Sequence, residues 1–222
     1  MNKTHLASGM KLRHAVQLGL AGLALACTVP AWAVAISVEN GGITLNSTDT
    51  STAGDIGAPW VIDETMTSAG TLKFEGDPLG GNNPTGSGHA AGKWFQKIVT
   101  NNTGVAWTSF ELELQVILGT PSGQGDGLSF ADGSPLTGLF SSDVFSGYTR
   151  IDDTRDYLNF SGGTVADGAT VTFNFVVTDN SGNDPFYLLQ TPNKQEVPEP
   201  GTLALLGLAG IGMFGLRRRK LA

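Results

Sequence analysis

Cysteine is almost absent. Cys27 is the only one in 222 residues, which excludes a disulfide framework and a zinc site built on thiolates. Histidine is scarce as well: of three, His5 and His14 precede residue 34 and only His89 follows it. A Ser-His-Asp arrangement in the body of the chain would therefore need His89 as its base. Charged residues make up 15%, below the roughly one quarter usual in soluble domains, so a disordered polyelectrolyte is excluded. A basic excess is missing too. Thirteen Lys and Arg stand against 20 Asp and Glu, and the pI lies near 4.8, so the basic face of a nucleic-acid binder is not there. No stretch keeps a helical period over three turns. What the chain has in quantity is glycine, 31 residues of it, with Thr, Ser and Asn.

Charge is sharply segregated. The only charged side chains before residue 34 are Lys3, Lys11 and Arg13, and those after residue 199 are Arg217, Arg218, Arg219 and Lys220. All 20 acids lie between Glu39 and Glu199 with six bases (Lys73, Lys93, Lys97, Arg150, Arg155, Lys194), a formal 6 − 20 = −14. Three segments follow: residues 1–33, a domain at 34–192, and a C-terminal segment at 193–222.

Residues 1–33 have the three parts of a secretory signal. A basic start precedes the apolar run Val16-Gln-Leu-Gly-Leu-Ala-Gly-Leu-Ala-Leu-Ala26, and Pro30-Ala31-Trp32-Ala33 puts small residues at Ala31 and Ala33, the −3 and −1 positions of a cut after Ala33. The run is short for a membrane span, which needs about 20 residues. Signal peptidase is the expected partner. Ala24-Leu-Ala-Cys27 loosely matches a lipid-accepting signal, but a better cut site follows it. Cleavage after Ala33 leaves a mature chain without cysteine, suited to an oxidising compartment.

At the other end Val197-Pro198-Glu199-Pro200 is followed by 16 largely apolar residues, Gly201 to Leu216, and then Arg217-Arg218-Arg219-Lys220. As a helix the apolar part is about 24 Å long, slightly short for the ~30 Å hydrocarbon core, a gap that snorkelling Arg and Lys close. The basic cluster acts as the membrane stop and sets the C-terminus on the cytoplasmic side. The two prolines hold the preceding segment extended. In order, spacing and position this end resembles the PEP-CTERM sorting signal of Gram-negative bacteria. The resemblance implies recognition by an exosortase, a membrane enzyme of cysteine-transpeptidase type. It further implies removal of the tail near Pro198-Glu199-Pro200 and passage to the cell surface or extracellular matrix. The plainer alternative is an ordinary tail anchor.

Residues 34–192 alternate apolar and polar residues in short runs. Phe110, Leu112, Leu114 and Val116 share one face, as do Val171, Phe173, Phe175 and Val177, the mark of half-buried strands. Weaker strands are expected at 35–39, 43–46, 60–63, 71–75, 94–100, 127–130, 157–160 and 186–190. Turn signals such as Asn40-Gly41, Asp132-Gly133 and Asp167-Gly168 separate them. Many short strands between such turns point to an all-β domain, an antiparallel β-sandwich of jelly-roll or Ig-like type. Trp60, Trp94 and Trp107 are expected in the core with the phenylalanines, and the polar stretch 76–88 as the most mobile loop.

Chemistry in this domain is sparse, and no catalytic residue is assigned. His89 sits in a Gly-rich loop without a nucleophile elbow and reads as a solvated loop histidine. Gly92-Lys93 lacks the rest of a phosphate-binding loop. Glu111 and Glu113 share a strand face. They could serve glycoside hydrolysis, although Val116 stands where a third acid would be needed, and the simpler expectation is that both face water. Asp-rich loops at 125–132, 152–156 and 179–184 offer oxygen ligands for Ca²⁺ or ordinary turn caps. No cofactor is expected beyond Ca²⁺ as a candidate, and a metal site is not assigned. Tyr148, Tyr157 and Tyr187 could stack on sugars. The expectation is a non-enzymatic, exported protein with a structural or adhesive role in exopolysaccharide or biofilm. The alternative is a carbohydrate-binding module, and third a glycoside hydrolase.

Overall fold

A computed structural model describes residues 34–80, 83–123, 125–130, 140–152 and 154–193. The expected secretory signal, with Ala31 and Ala33, lies outside the described residues. So do Val197, Pro198, Glu199, Pro200, the apolar segment and Arg217 to Lys220. Among the described residues there are ten strands and no helix. They are β1 (Ala35–Asp49), β2 (Trp60–Glu75), β3 (Ala91–Asn101), β4 (Trp107–Gln115), β5 (Leu128–Phe130), β6 (Ser141–Ser142), β7 (Gly147–Asp152), β8 (Asp156–Val165), β9 (Thr170–Asp179) and β10 (Phe186–Pro192).

The all-β class is observed, but the two separate antiparallel sheets of a sandwich are not. The strands form one continuous curled, mixed sheet, in the order β5-β9-β3-β2-β10-β4-β8-β7, with β1 also on β2 and β6 on β9. The cause lies in β2. Its first half, Trp60 to Met66, pairs in parallel with β3, and its second half, Gly70 to Phe74, pairs antiparallel with β10. Thr67, Ser68 and Ala69 pair with neither and are exposed. Along its other edge β1 follows β2 from end to end through three register shifts. Asn40-Gly41, expected as a turn, lies inside β1 between two of these shifts: Gly41 adopts φ +83° opposite Gly70, a left-handed conformation that glycine takes without penalty.

A parallel neighbour requires a long crossover, and residues 76–90 supply it. Its described residues are hydrogen-bonded to one another. Asn83 Nδ2 donates to Ser87 Oγ at 2.8 Å and to the His89 carbonyl at 2.7 Å, and Thr85 Oγ1 donates to Asn83 Oδ1 at 2.5 Å. Leu79 and Thr85 are buried.

Curling lets strands without a shared ladder pack face to face. Phe173 on β9 lies 4.7 Å from Phe110 on β4 and 4.9 Å from Phe160 on β8. Phe74 on β2 stacks at 4.6 Å on Phe186 of β10 and meets Phe95 of β3 edge-on at 5.8 Å. Ten of the 11 phenylalanines are buried. That concentration is how a Gly- and Thr-rich chain assembles a core, each ring pair adding about 0.5–1.5 kcal/mol beyond area burial. Trp60 and Trp107 join this cluster as expected; Trp94 is buried outside it.

Candidate functional site

Two polar clusters stand out against this apolar frame. The first is on the sheet face opposite the core. Phe110, Leu112 and Leu114 point inward from β4, so alternation turns Glu111, Glu113 and Gln115 outward. The expectation that the glutamates face water is wrong: they are 1% and 4% exposed. Arg155, next to the start of β8, folds over them. Its Nη2 donates to Glu111 Oε1 at 2.7 Å, and its Nε donates to Glu113 Oε2 at 2.8 Å. The guanidinium also lies 4.5 Å over the Tyr157 ring. Glu113 accepts a further bond from Gln115 Nε2 at 3.0 Å, and Gln115 Oε1 accepts from the Gly119 amide at 2.8 Å. Burial alone would lower the Arg155 pKa, but Glu113 and Glu111 more than offset it, and it ends above its ordinary value. Strand register places Tyr187, Leu189 and Thr191 of β10 on one side of this row, with Tyr157 and Asn159 of β8 on the other. This is a hydrogen-bonded charged face with aromatic neighbours.

The second cluster is inside the core. Glu64 on β2, Lys97 on β3 and Gln190 on β10 are each 0% exposed. Lys97 Nζ is 2.5 Å from Glu64 Oε2, and Gln190 Nε2 donates to the same oxygen at 3.3 Å. Glu64 Oε1 and Gln190 Oε1 are buried with no hydrogen-bond partner among the described residues. Burial pushes the Lys97 amine below the ordinary lysine range, against the opposing pull of Glu64. The three strands meet where β2 exchanges β3 for β10. Alternation could have placed Lys97 on the Phe95–Val99 face and Glu64 on the Ile62–Met66 face. What kept the cluster out of view was that Gln190 reaches Glu64 across 126 residues.

The remaining candidates have local roles. In the Asp-rich loops, Asp126 accepts from the Gly123 and Leu128 amides at 3.0 and 3.1 Å. Asp179 accepts from the Ser181 and Asn183 amides, and Asp184 from those of Gly76 and Asp77. Asp156 accepts from the Phe130 amide at 3.1 Å. These are turn and loop caps. Among the described residues no group of three or more His, Cys, Asp or Glu is placed to hold a metal ion. His89 is half-buried, its Nδ1 2.6 Å from Thr178 Oγ1. Tyr148 is exposed at the rim of an open cleft of about 450 Å³ between Phe140, Phe145 and Phe160.

Set beside known proteins, the C-terminal segment finds a match. Residues 196–220 match the family described as the PEP-CTERM protein-sorting motif, so the chain carries that sorting signal. The signal implies processing by an exosortase and export to the cell surface by way of the membrane. No curated protein and no solved structure matches the chain.

Proposed function

We propose that the chain is exported, held briefly in the inner membrane by its C-terminal segment, cut by an exosortase, and delivered to the cell surface or extracellular matrix of a Gram-negative bacterium. There the β-domain has a structural or adhesive role among exopolysaccharide, without enzymatic activity. The observation that carries the sorting step is the motif match at residues 196–220. The structural role is supported by a domain whose conspicuous outward carboxylates, Glu111 and Glu113, are clamped on one guanidinium rather than set apart across a cleft. A glycosidase needs two carboxyl groups about 5–9.5 Å apart on either side of the scissile bond. Replacing Val197 to Pro200 by alanine is expected to leave the protein in the inner membrane with its tail intact, as read by fractionation and mass spectrometry. Recovery from that variant of the usual surface form ending upstream of Gly201 would overturn the sorting mechanism.

A second reading, a carbohydrate-binding module, is favoured by one feature, the half-buried Tyr187 set beside the carboxylate row on the outer face. Aromatic faces beside fixed polar groups are what sugar rings dock against. A glycan array probed with the domain, with and without Ca²⁺, tests it. Saturable binding that is lost in Tyr187→Ala supports a sugar site, and no binding to any glycan removes it.

A further inference from the structure

The Glu64–Lys97–Gln190 cluster calls for an explanation that stability does not supply. A buried ion pair recovers its desolvation cost poorly, and apolar side chains of the same volume do as well or better. Here the cluster also holds two buried oxygens, Glu64 Oε1 and Gln190 Oε1, without hydrogen-bond partners among the described residues, which adds to the cost. What the arrangement does supply is the set of groups for an amide-forming reaction: an amine, a carboxamide and a carboxylate that touches both. All three side chains are sealed from bulk solvent.

We infer that Lys97 and Gln190 join in an intramolecular isopeptide bond, with Glu64 as the proton carrier. Glu64 Oε2 takes a proton from the Lys97 ammonium, and the freed lone pair on Nζ attacks Cδ of Gln190. The carbonyl electron pair moves onto Oε1 and then re-forms the double bond as the Cδ–Nε2 bond breaks. The departing nitrogen is protonated through Glu64 and leaves as ammonia. Protons and charge balance without an outside reagent. An ammonium, a carboxylate and a primary amide become a secondary amide, a neutral carboxylic acid and ammonia.

Three observations favour the forward direction. Burial holds the Lys97 pKa down, which raises the fraction of neutral, nucleophilic amine. The reaction removes both buried charges, leaving Glu64 as a neutral acid that can hydrogen-bond the new amide. The reacting groups also share one oxygen at 2.5 and 3.3 Å, so the carboxylate that carries the proton already touches both the amine and the leaving nitrogen. The location gives the bond a purpose. β3 and β10 take turns along one edge of β2 and share no backbone ladder, so a Lys97–Gln190 amide would tie together two strands that do not pair with each other.

The test is peptide mapping and intact-mass measurement of the full-length chain. Expected are a mass lower by one ammonia, no tryptic cleavage after Lys97, and a branched peptide joining Lys97 to Gln190. Lys97→Met, Gln190→Leu and Glu64→Gln should each retain the ammonia. Glu64→Gln should do so with both reacting residues present, which separates catalysis from mere loss of a partner. An unmodified wild-type mass with free cleavage after Lys97 overturns the inference. So does loss of one water with Lys97 joined to Glu64. Because the wild-type readout is covalent, a variant that fails to fold does not decide the outcome.

Discussion

Arg155 is one side chain answering for two. Its guanidinium is 26% exposed while the carboxylates beneath it are nearly sealed. Removing it leaves two negative charges buried side by side, and breaking a buried pair in this way is far more damaging than never having built it. Arg155→Met is expected to lower unfolding stability by about 2–4 kcal/mol, scaled down for the partial exposure of the cation, in urea denaturation near neutral pH. Adding Glu111→Gln and Glu113→Gln to that variant should recover much of the loss. A single-variant loss too small to measure would mean that the carboxylates are not desolvated. The pH dependence has a definite sign. Because the Arg155 pKa is raised in the folded state, its contribution is fully present below its unfolded value and fades only as pH rises through the folded one. That window is more alkaline than ordinary assays, so the wild-type contribution from Arg155 is constant from neutral to mildly alkaline pH. This site was half legible. Spacing by two put Glu111 and Glu113 on one outer face, but the cation that buries them arrives from 42 and 44 residues further along the chain, a separation to which periodicity is blind.

For strands, alternation predicts which face a residue joins and says nothing about which strand lies beside it. Phe110 to Leu114 and Val171 to Val177 were therefore readable as strands with their inward faces. The parallel pairing of β2 with β3, and the fusion of two expected short strands into β1, were not. β7 escaped notice for a different reason. Arg150 holds a position facing Leu158, with its Nε donating to the Phe130 carbonyl at 2.9 Å and its Nη2 to Ser129 Oγ at 3.0 Å. A charge at that position masks the apolar period. The β1–β2 ribbon makes its own prediction. A Cβ on Gly41 would stand 2.3 Å from the Ala69 carbonyl oxygen and 2.3 Å from the Gly70 Cα, at φ +83°. Gly168 has φ +80° and open space around it. Gly168→Ala should cost about 1–2 kcal/mol, the backbone term alone. Gly41→Ala should cost about 3 kcal/mol or more, since backbone must also move. Thermal melts of both variants compare them; equal losses would mean that β1 and β2 do not approach this closely.

For the molecule as a whole, the sequence was most informative at its ends, because addresses are read as linear order and need no partner from elsewhere in the chain. The C-terminal motif, from Val197 to the Arg cluster, falls within the matched span 196–220. The domain between the ends is harder to read, since its architecture depends on one strand changing partners midway. That architecture bears on what happens when the protein is pulled. The tail that carries the sorting signal leaves the domain from β10, and β10 is an interior strand, laddered to β2 on one side and to β4 on the other. Force transmitted along the C-terminal segment in line with that strand loads both ladders in shear, so their hydrogen bonds must rupture together instead of peeling away singly. A surface protein held by that end would resist drag at its attachment point, and would yield first at strands nearer the sheet margins, such as β7.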